Sequence, residues 1–253
     1  MDLWKYFAIG HEHHVFCNPL SEGKVDELIA LLALPDEARV LDIACGKGEF
    51  LVRTAKRWKC SAIGVDVSPY CVADARAKIE AASLEPAPEI VEADGSEYDG
   101  KPSSFDAAVC LGASWIWGGL AGTLRALSSW AKPGGLVVVG EPFWRCVPSP
   151  DHLEAAGLTR SSFNTHSGNA QAGLGLGLGL LHAIVSSTDD WDQYEGYQWY
   201  AAEQYSRRNP TDPDIAELMA TMHKTRDNYL QWGRNDIGWA VYLFLKDPYS
   251  PAA

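Results

Sequence analysis

The chain has 253 residues, 47% of them hydrophobic, and a formal net charge of -12, from 21 Lys and Arg against 33 Asp and Glu. That length supplies one sizeable core, a single domain over 1–253, while the acidic field repels nucleic acid and anionic membrane. The start MDLWKYFAIGHEHH is no signal peptide, the apolar run near 173–185 is too glycine-broken to span a bilayer, and six cysteines form no C-x-x-C pair, so a cytoplasmic protein with reduced thiols and no metal is expected.

In chain order, residues 24–34 place Val25, Leu28, Ile29 and Leu32 on one helical face, and Pro35 stops that helix. RVLDIA, from Arg39, is a buried strand, GEFLVRTAKRW a helix, and SAIGVDVS a second strand. PYCVADARAKIEAA is a helix opened by Ser68 and Pro69. EIVEADG and FDAAVCLGA read as strands three and four, GTLRALSSWA as a helix closed by the Lys132 to Gly135 turn, and LVVVGEPFW as strand five. Continuous apolar runs alternating with helices imply an α/β fold, a mostly parallel sheet with helices on both faces. Beyond Trp144, DHLEAAGL reads as a short helix, the Gly-Leu repeat over 173–180 as a connection, and LLHAIVSS as strand six. An aromatic-rich helical insertion over about 187–233 precedes a last strand, DIGWAVYLFL.

The loop after strand one, CGKGEF, invites a test against phosphate ligands. A P-loop needs Ser or Thr after its lysine, and a dinucleotide loop needs a third glycine where Leu51 stands. Asp42 and Glu49 also bracket the loop with negative charge, which opposes a pyrophosphate. S-adenosylmethionine (SAM), with a cationic amine, a sulfonium and a ribose diol, answers those objections. Asp42 suits the amine, Asp66 at the end of strand two suits both ribose hydroxyls, and Asp94 at the end of strand three lies within reach of an adenine amino group. The plainer alternatives are that Asp66 merely caps the following helix and that Asp94 only supports a turn.

VLDIACGKGEF, IGVDVS, EADGSEY, FDAAVCLGA and KPGGLVVVGEP, in this order, resemble the successive motifs of class I SAM-dependent methyltransferases of the small-molecule type. The resemblance implies a Rossmann-like seven-stranded sheet with an antiparallel last strand and the cofactor across the ends of strands one, two and four. It also implies that Asp42, Ala44, Gly46 and Gly48 line the methionine and ribose side, Asp66 with the adjoining Val67 the ribose, Asp94 with Gly95 the adenine, and Leu111 to Ala113 the floor under the sulfonium. Ala44 stands where the family often has glycine.

The acceptor pocket is sought in three regions. The N-terminal segment 1–23 is read as a lid carrying His11, His13 and His14, with His14 a candidate base near neutrality. Glu141, after strand five, could orient an amine or take its proton, or pair structurally. Trp191 and Tyr194 in the insertion, with Trp115 and Trp117 after strand four, could wall a pocket or serve as core. The reading is methyl transfer to a small molecule, with an amine nitrogen preferred. A SAM- or S-adenosylhomocysteine-binding protein without turnover and a nicotinamide-dependent oxidoreductase are the alternatives; oligomeric state is left open.

Overall fold

The structure, a computed structural model, describes residues 2–247. Seven strands, β1 (Arg39–Ile43), β2 (Ser61–Asp66), β3 (Glu89–Glu92), β4 (Phe105–Leu111), β5 (Ala131–Trp144), β6 (Leu178–Val185) and β7 (Ile237–Lys246), form one sheet in the order β3-β2-β1-β4-β5-β7-β6. β1 to β5 pair in parallel, and β7 runs antiparallel to both β5 and β6. This is the Rossmann-like sheet expected from the motifs.

Every residue of β1 after Arg39 is buried, so both sheet faces must be covered. Helices α2 (Glu22–Leu31), α3 (Glu49–Trp58), α4 (Pro69–Ala82) and α5 (Leu120–Trp130) supply that cover. One core gathers Leu28, Leu51, Val40 and Val109; the other gathers Leu41, Leu124, Val137 and Phe244. The Ser68 hydroxyl accepts from the Cys71 N–H at 3.4 Å, capping α4 as its Ser-Pro start foretold.

Three elements differ from the sequence reading. Helix α6 (Pro150–Ala156) was foreseen, but a further helix, α7 (His166–Leu174), occupies HSGNAQAGL, and the Gly-Leu repeat divides between its end, a turn and the start of β6. Gly173 lets α7 lie directly on the sheet, since a Cβ there would stand 2.2 Å from the Phe244 ring. Strand β5 also begins at Ala131, paired with Phe105, and resumes at Leu136 after the Lys132 to Gly135 excursion.

Helix α1 (Leu3–Gly10) packs on α8 (Thr188–Arg208) and α9 (Ile215–Asn228), burying Ile9, Ala202, Leu218 and Met222 in a separate small core. Lys5 reinforces this contact with Asp212 at 2.8 Å and Asp214 at 2.7 Å. The cap helices are joined to β7 through a π-helical turn, Tyr229–Gly233, and the short α10 (Arg234–Asp236). No helix among the described residues is long and apolar enough to cross a membrane.

Candidate active site

At the C-terminal ends of β1, β2 and β4 the chain turns tightly around a cleft. Ala44 has φ 57°, in the left-handed region, and Gly46 and Gly48 follow at 54° and 72°. The Gly46 N–H donates to Asp66 Oδ2 at 2.8 Å and the Ser68 N–H to Asp66 Oδ1 at 2.9 Å. Asp66 thus ties the loop after β1 to Ser68, the N-cap of α4, while lining the cleft. Gly48 serves packing: a Cβ there would sit 2.9 Å from the Ala75 Cβ of α4.

Asp42 is buried, faces the same cleft, and meets no hydrogen-bond donor among the described residues. Burial, with the neighbouring Asp66 charge, pushes its carboxyl well above the usual carboxylate range. Burial also raises Asp66, against the pull of its backbone N–H donors. A buried acid without a donor, beside a second acid, fits a cationic ligand and opposes a phosphate. Ala44, Gly46, Leu111 and Trp115 line this part of the cleft. Its far end is lined by Val67, Asp94, Gly95 and Ile116. Asp94 caps the short 3-10 turn 95–97, its Oδ1 accepting from the Ser96 N–H at 2.8 Å and hydroxyl at 2.7 Å. Gly95 lies against β1, where a Cβ would come within 2.5 Å of Ile43.

A cavity of about 840 Å³ adjoins this cleft and shares Cys17, Asn18, Gly112 and Trp115 with it. Glu141, Phe163, Trp191, Tyr194 and Trp239 line it. Ser114 Oγ donates to Glu141 Oε1 at 3.0 Å, whereas Oε2 is buried without a donor. Burial pushes Glu141 up to about 7, with the Ser114 hydrogen bond acting the other way. Trp115, 71% exposed, stands where the two spaces meet. Ser114 was missed by the sequence reading: it lies 27 residues from Glu141, and only the pairing of β4 with β5 brings them together.

Two expected site residues turn elsewhere. Trp117 packs its ring edge-on against Trp130, 6.1 Å between centroids, and joins the core of the α5 face rather than the cleft. While its carbonyl accepts from Lys47 of the glycine loop at 3.5 Å, the His14 ring is turned to α8. Its Nε2 lies 2.8 Å from the Tyr194 carbonyl and therefore donates to it, and the ring lines a separate outer cavity with His13 and Tyr197. Burial holds it down to about 4, so a base titrating near neutrality is replaced by a buried neutral imidazole. His11 is similar: Nδ1 donates to the Phe7 carbonyl at 2.9 Å, so Nε2 accepts from Tyr194 Oη at 3.0 Å. The histidines thus anchor the N-terminal segment to α8, and Lys47 of the glycine loop binds the same segment through the His11 carbonyl at 2.6 Å.

The family model described as "Methyltransferase domain" matches residues 40–135, the stretch from β1 to β5. The Escherichia coli protein YjhP is 30% identical over 97% of this chain and 99% of its own, and its crystal structure superposes with a TM-score of 0.89 over 96% of this chain and 99% of that one. A SAM-dependent methyltransferase of Thiobacillus denitrificans, crystallised with S-adenosyl-L-homocysteine, is 31% identical, with a TM-score of 0.88 over 97% of this chain and 100% of that one. A second, from Geobacter sulfurreducens and likewise in complex with S-adenosyl-L-homocysteine, is 29% identical, with a TM-score of 0.89 over 96% and 98% of the two chains. With the acidic cleft and glycine loop described above, these relatives show that the chain belongs to the SAM-dependent methyltransferases.

Proposed function

We propose that this enzyme methylates an amine nitrogen of a small molecule, and that Glu141 takes the proton that must leave that nitrogen. The observation that carries the reading is the donorless, buried Oε2 of Glu141 in a large cavity that opens onto the cofactor cleft at Trp115. An ammonium is the partner such an oxygen lacks.

The cleft would hold SAM with Asp42 on its amino group, Asp66 and Val67 on the ribose side, Asp94 and Gly95 at the adenine, and Ala44, Gly46 and Leu111 along its length, while Gly48 packs on α4 behind it. When bound, SAM supplies an electrophilic methyl on a sulfonium, and the nitrogen–carbon bond forms as the carbon–sulfur bond breaks with its electron pair left on sulfur. Glu141 in its carboxylate form binds the incoming ammonium and accepts its proton, freeing the lone pair. Ser114 fixes the carboxylate's rotamer through Oε1, leaving Oε2 to act. Trp115, Trp191 and Tyr194 bound the acceptor space, and positioning of this kind supplies roughly 7–11 kcal/mol in well-oriented reactions. In this reading the segment 1–23 serves as a lid and 187–233 as a cap on the single domain. The six thiols, none in a disulfide, suit a reducing, cytoplasmic setting.

Transfer of a labelled methyl group from SAM to panels of amines, alcohols and carboxylic acids tests this directly. Label in amines, lost in Glu141→Gln with SAM binding kept, is the expected result. Label confined to alcohols or acids would overturn the amine, and binding without turnover on any panel would favour a sensor.

A further inference from the structure

The cap holds a second cavity, of about 360 Å³, that the chemistry at Glu141 leaves unused. It lies between α6, α8, α9 and the start of β7. Trp191 and Ile237 line both this cavity and the one containing Glu141, so the two spaces are neighbours across one indole. Ala155 and Ala156 contribute only methyl groups to its α6 wall, which keeps the volume free.

Thr225 and Tyr229 in its lining already donate, to the Met222 carbonyl and to Asp192. Asn228 Nδ2 and Trp191 Nε1, by contrast, are buried and meet no acceptor among the described residues. Leaving such a group unpaired is costly, so two in one wall mark a place where a ligand oxygen belongs. Lys224, on the same wall, forms no ion pair among the described residues, so its charge is available as well. Glu195 is the one acid facing the cavity; burial pushes it up to about 7, so near neutrality it carries its proton much of the time and can donate. Polar donors at one end and a carboxylate at Glu141 make the combined space two-ended, with opposite preferences.

We propose that the cap cavity takes a carboxylate at the far end of the methyl acceptor, so that the substrate is a two-ended amino carboxylate, its nitrogen at Glu141 and its carboxylate at Asn228, Trp191 and Lys224. This rests on the amine reading given above. The indole of Trp191 lies alongside the apolar chain that joins the two ends.

The test is calorimetric titration of the protein saturated with S-adenosylhomocysteine, using ω-amino carboxylates of increasing methylene number, the n-alkylamines of matching length and the n-alkyl carboxylates. At the length that spans the two cavities the amino carboxylate should bind about tenfold or more tightly than its matching alkylamine, the size of a charged hydrogen bond gained. Asn228→Ala and Lys224→Met should each shrink that ratio several-fold. Ala156→Phe, which fills the cavity without touching a donor, should abolish it, and retained S-adenosylhomocysteine affinity verifies folding of every variant. A ratio near one at all lengths, or one that survives both Asn228→Ala and Ala156→Phe, overturns the proposal. If no alkylamine binds at all while alkyl carboxylates bind in a manner sensitive to Asn228, the amine reading fails and the carboxylate cavity stands.

Discussion

Ser114 and Glu141 form a one-sided pair: the serine hydroxyl holds Oε1 at 3.0 Å while Oε2 is buried without a donor among the described residues, in a side chain that lines the acceptor cavity. The serine follows β4 and the glutamate lies within the adjacent β5, so the rotamer of Glu141 is set by the sheet itself.

The acidity of this pair predicts a pH profile. Burial raises Glu141 to about 7, so its carboxylate is populated only as pH rises through that value, and methyl transfer to an amine should rise with it. Glu141→Gln should lose that limb and most of the turnover. Stability runs the opposite way. The folded state keeps a proton that the unfolded state releases near 4.5, so Glu141 costs stability progressively between about 4.5 and 7, and fully above. Glu141→Gln should therefore unfold at higher denaturant than wild type above pH 7, by as much as roughly 3 kcal/mol, and the two should converge in acid. Denaturant melts at several pH values check this.

Asp42 predicts a crossing of the same kind. It is a buried acid without a donor, raised in pKa, so it destabilises the ligand-free protein as pH rises above the ordinary carboxylate value of 3.8. Asp42→Asn should raise the melting temperature of the ligand-free enzyme near neutrality. With SAM bound as proposed above, it should weaken SAM by roughly 10–100-fold, the size of a charge-assisted contact. Thermal shift and titration of one variant measure both.

Ala44 holds φ 57°, a conformation that costs an L-residue about 1–2 kcal/mol and glycine almost nothing. Part of that gain is offset by the greater unfolded-state freedom of glycine. Ala44→Gly should thus stabilise by up to about 1 kcal/mol, a rise in melting temperature of roughly 2–4 °C for a domain of this size.

Tyr194→Phe removes the only donor to His11 Nε2 among the described residues and leaves that lone pair buried. A loss of about 1–3 kcal/mol is expected. Limited proteolysis should then cut first within residues 1–23, since the His11–Tyr194 bond is one of the few polar ties between that segment and α8.

Much of the fold was legible because strand and helix periods are local properties. The continuous apolar runs of β1, β2, β4 and β5, the Ser-Pro start of α4 and the glycine loop are written in consecutive residues, and the order of five such motifs carried the cofactor class. What local pattern could not decide was contact. The Gly-Leu repeat has strand period throughout, yet its first residues end α7, because Gly173 is the point where a helix can touch the Phe244 ring. Trp117 follows Trp115 by two residues, and the short 3-10 turn between them sends one ring to the core and leaves the other in the cleft.

The histidines make the same point through electrostatics. A His-rich segment suggests a base near neutrality, but desolvation by α8 turns His11 and His14 into neutral struts. That same burial, acting on Glu141, moves an ordinary acid into the range where a base is useful. The sheet, the glycine loop and the acids at the strand ends that line the cleft follow from neighbours along the chain. Tertiary structure alone decided which of the remaining polar groups faces a cavity, because burial and partnership depend on residues tens of positions away.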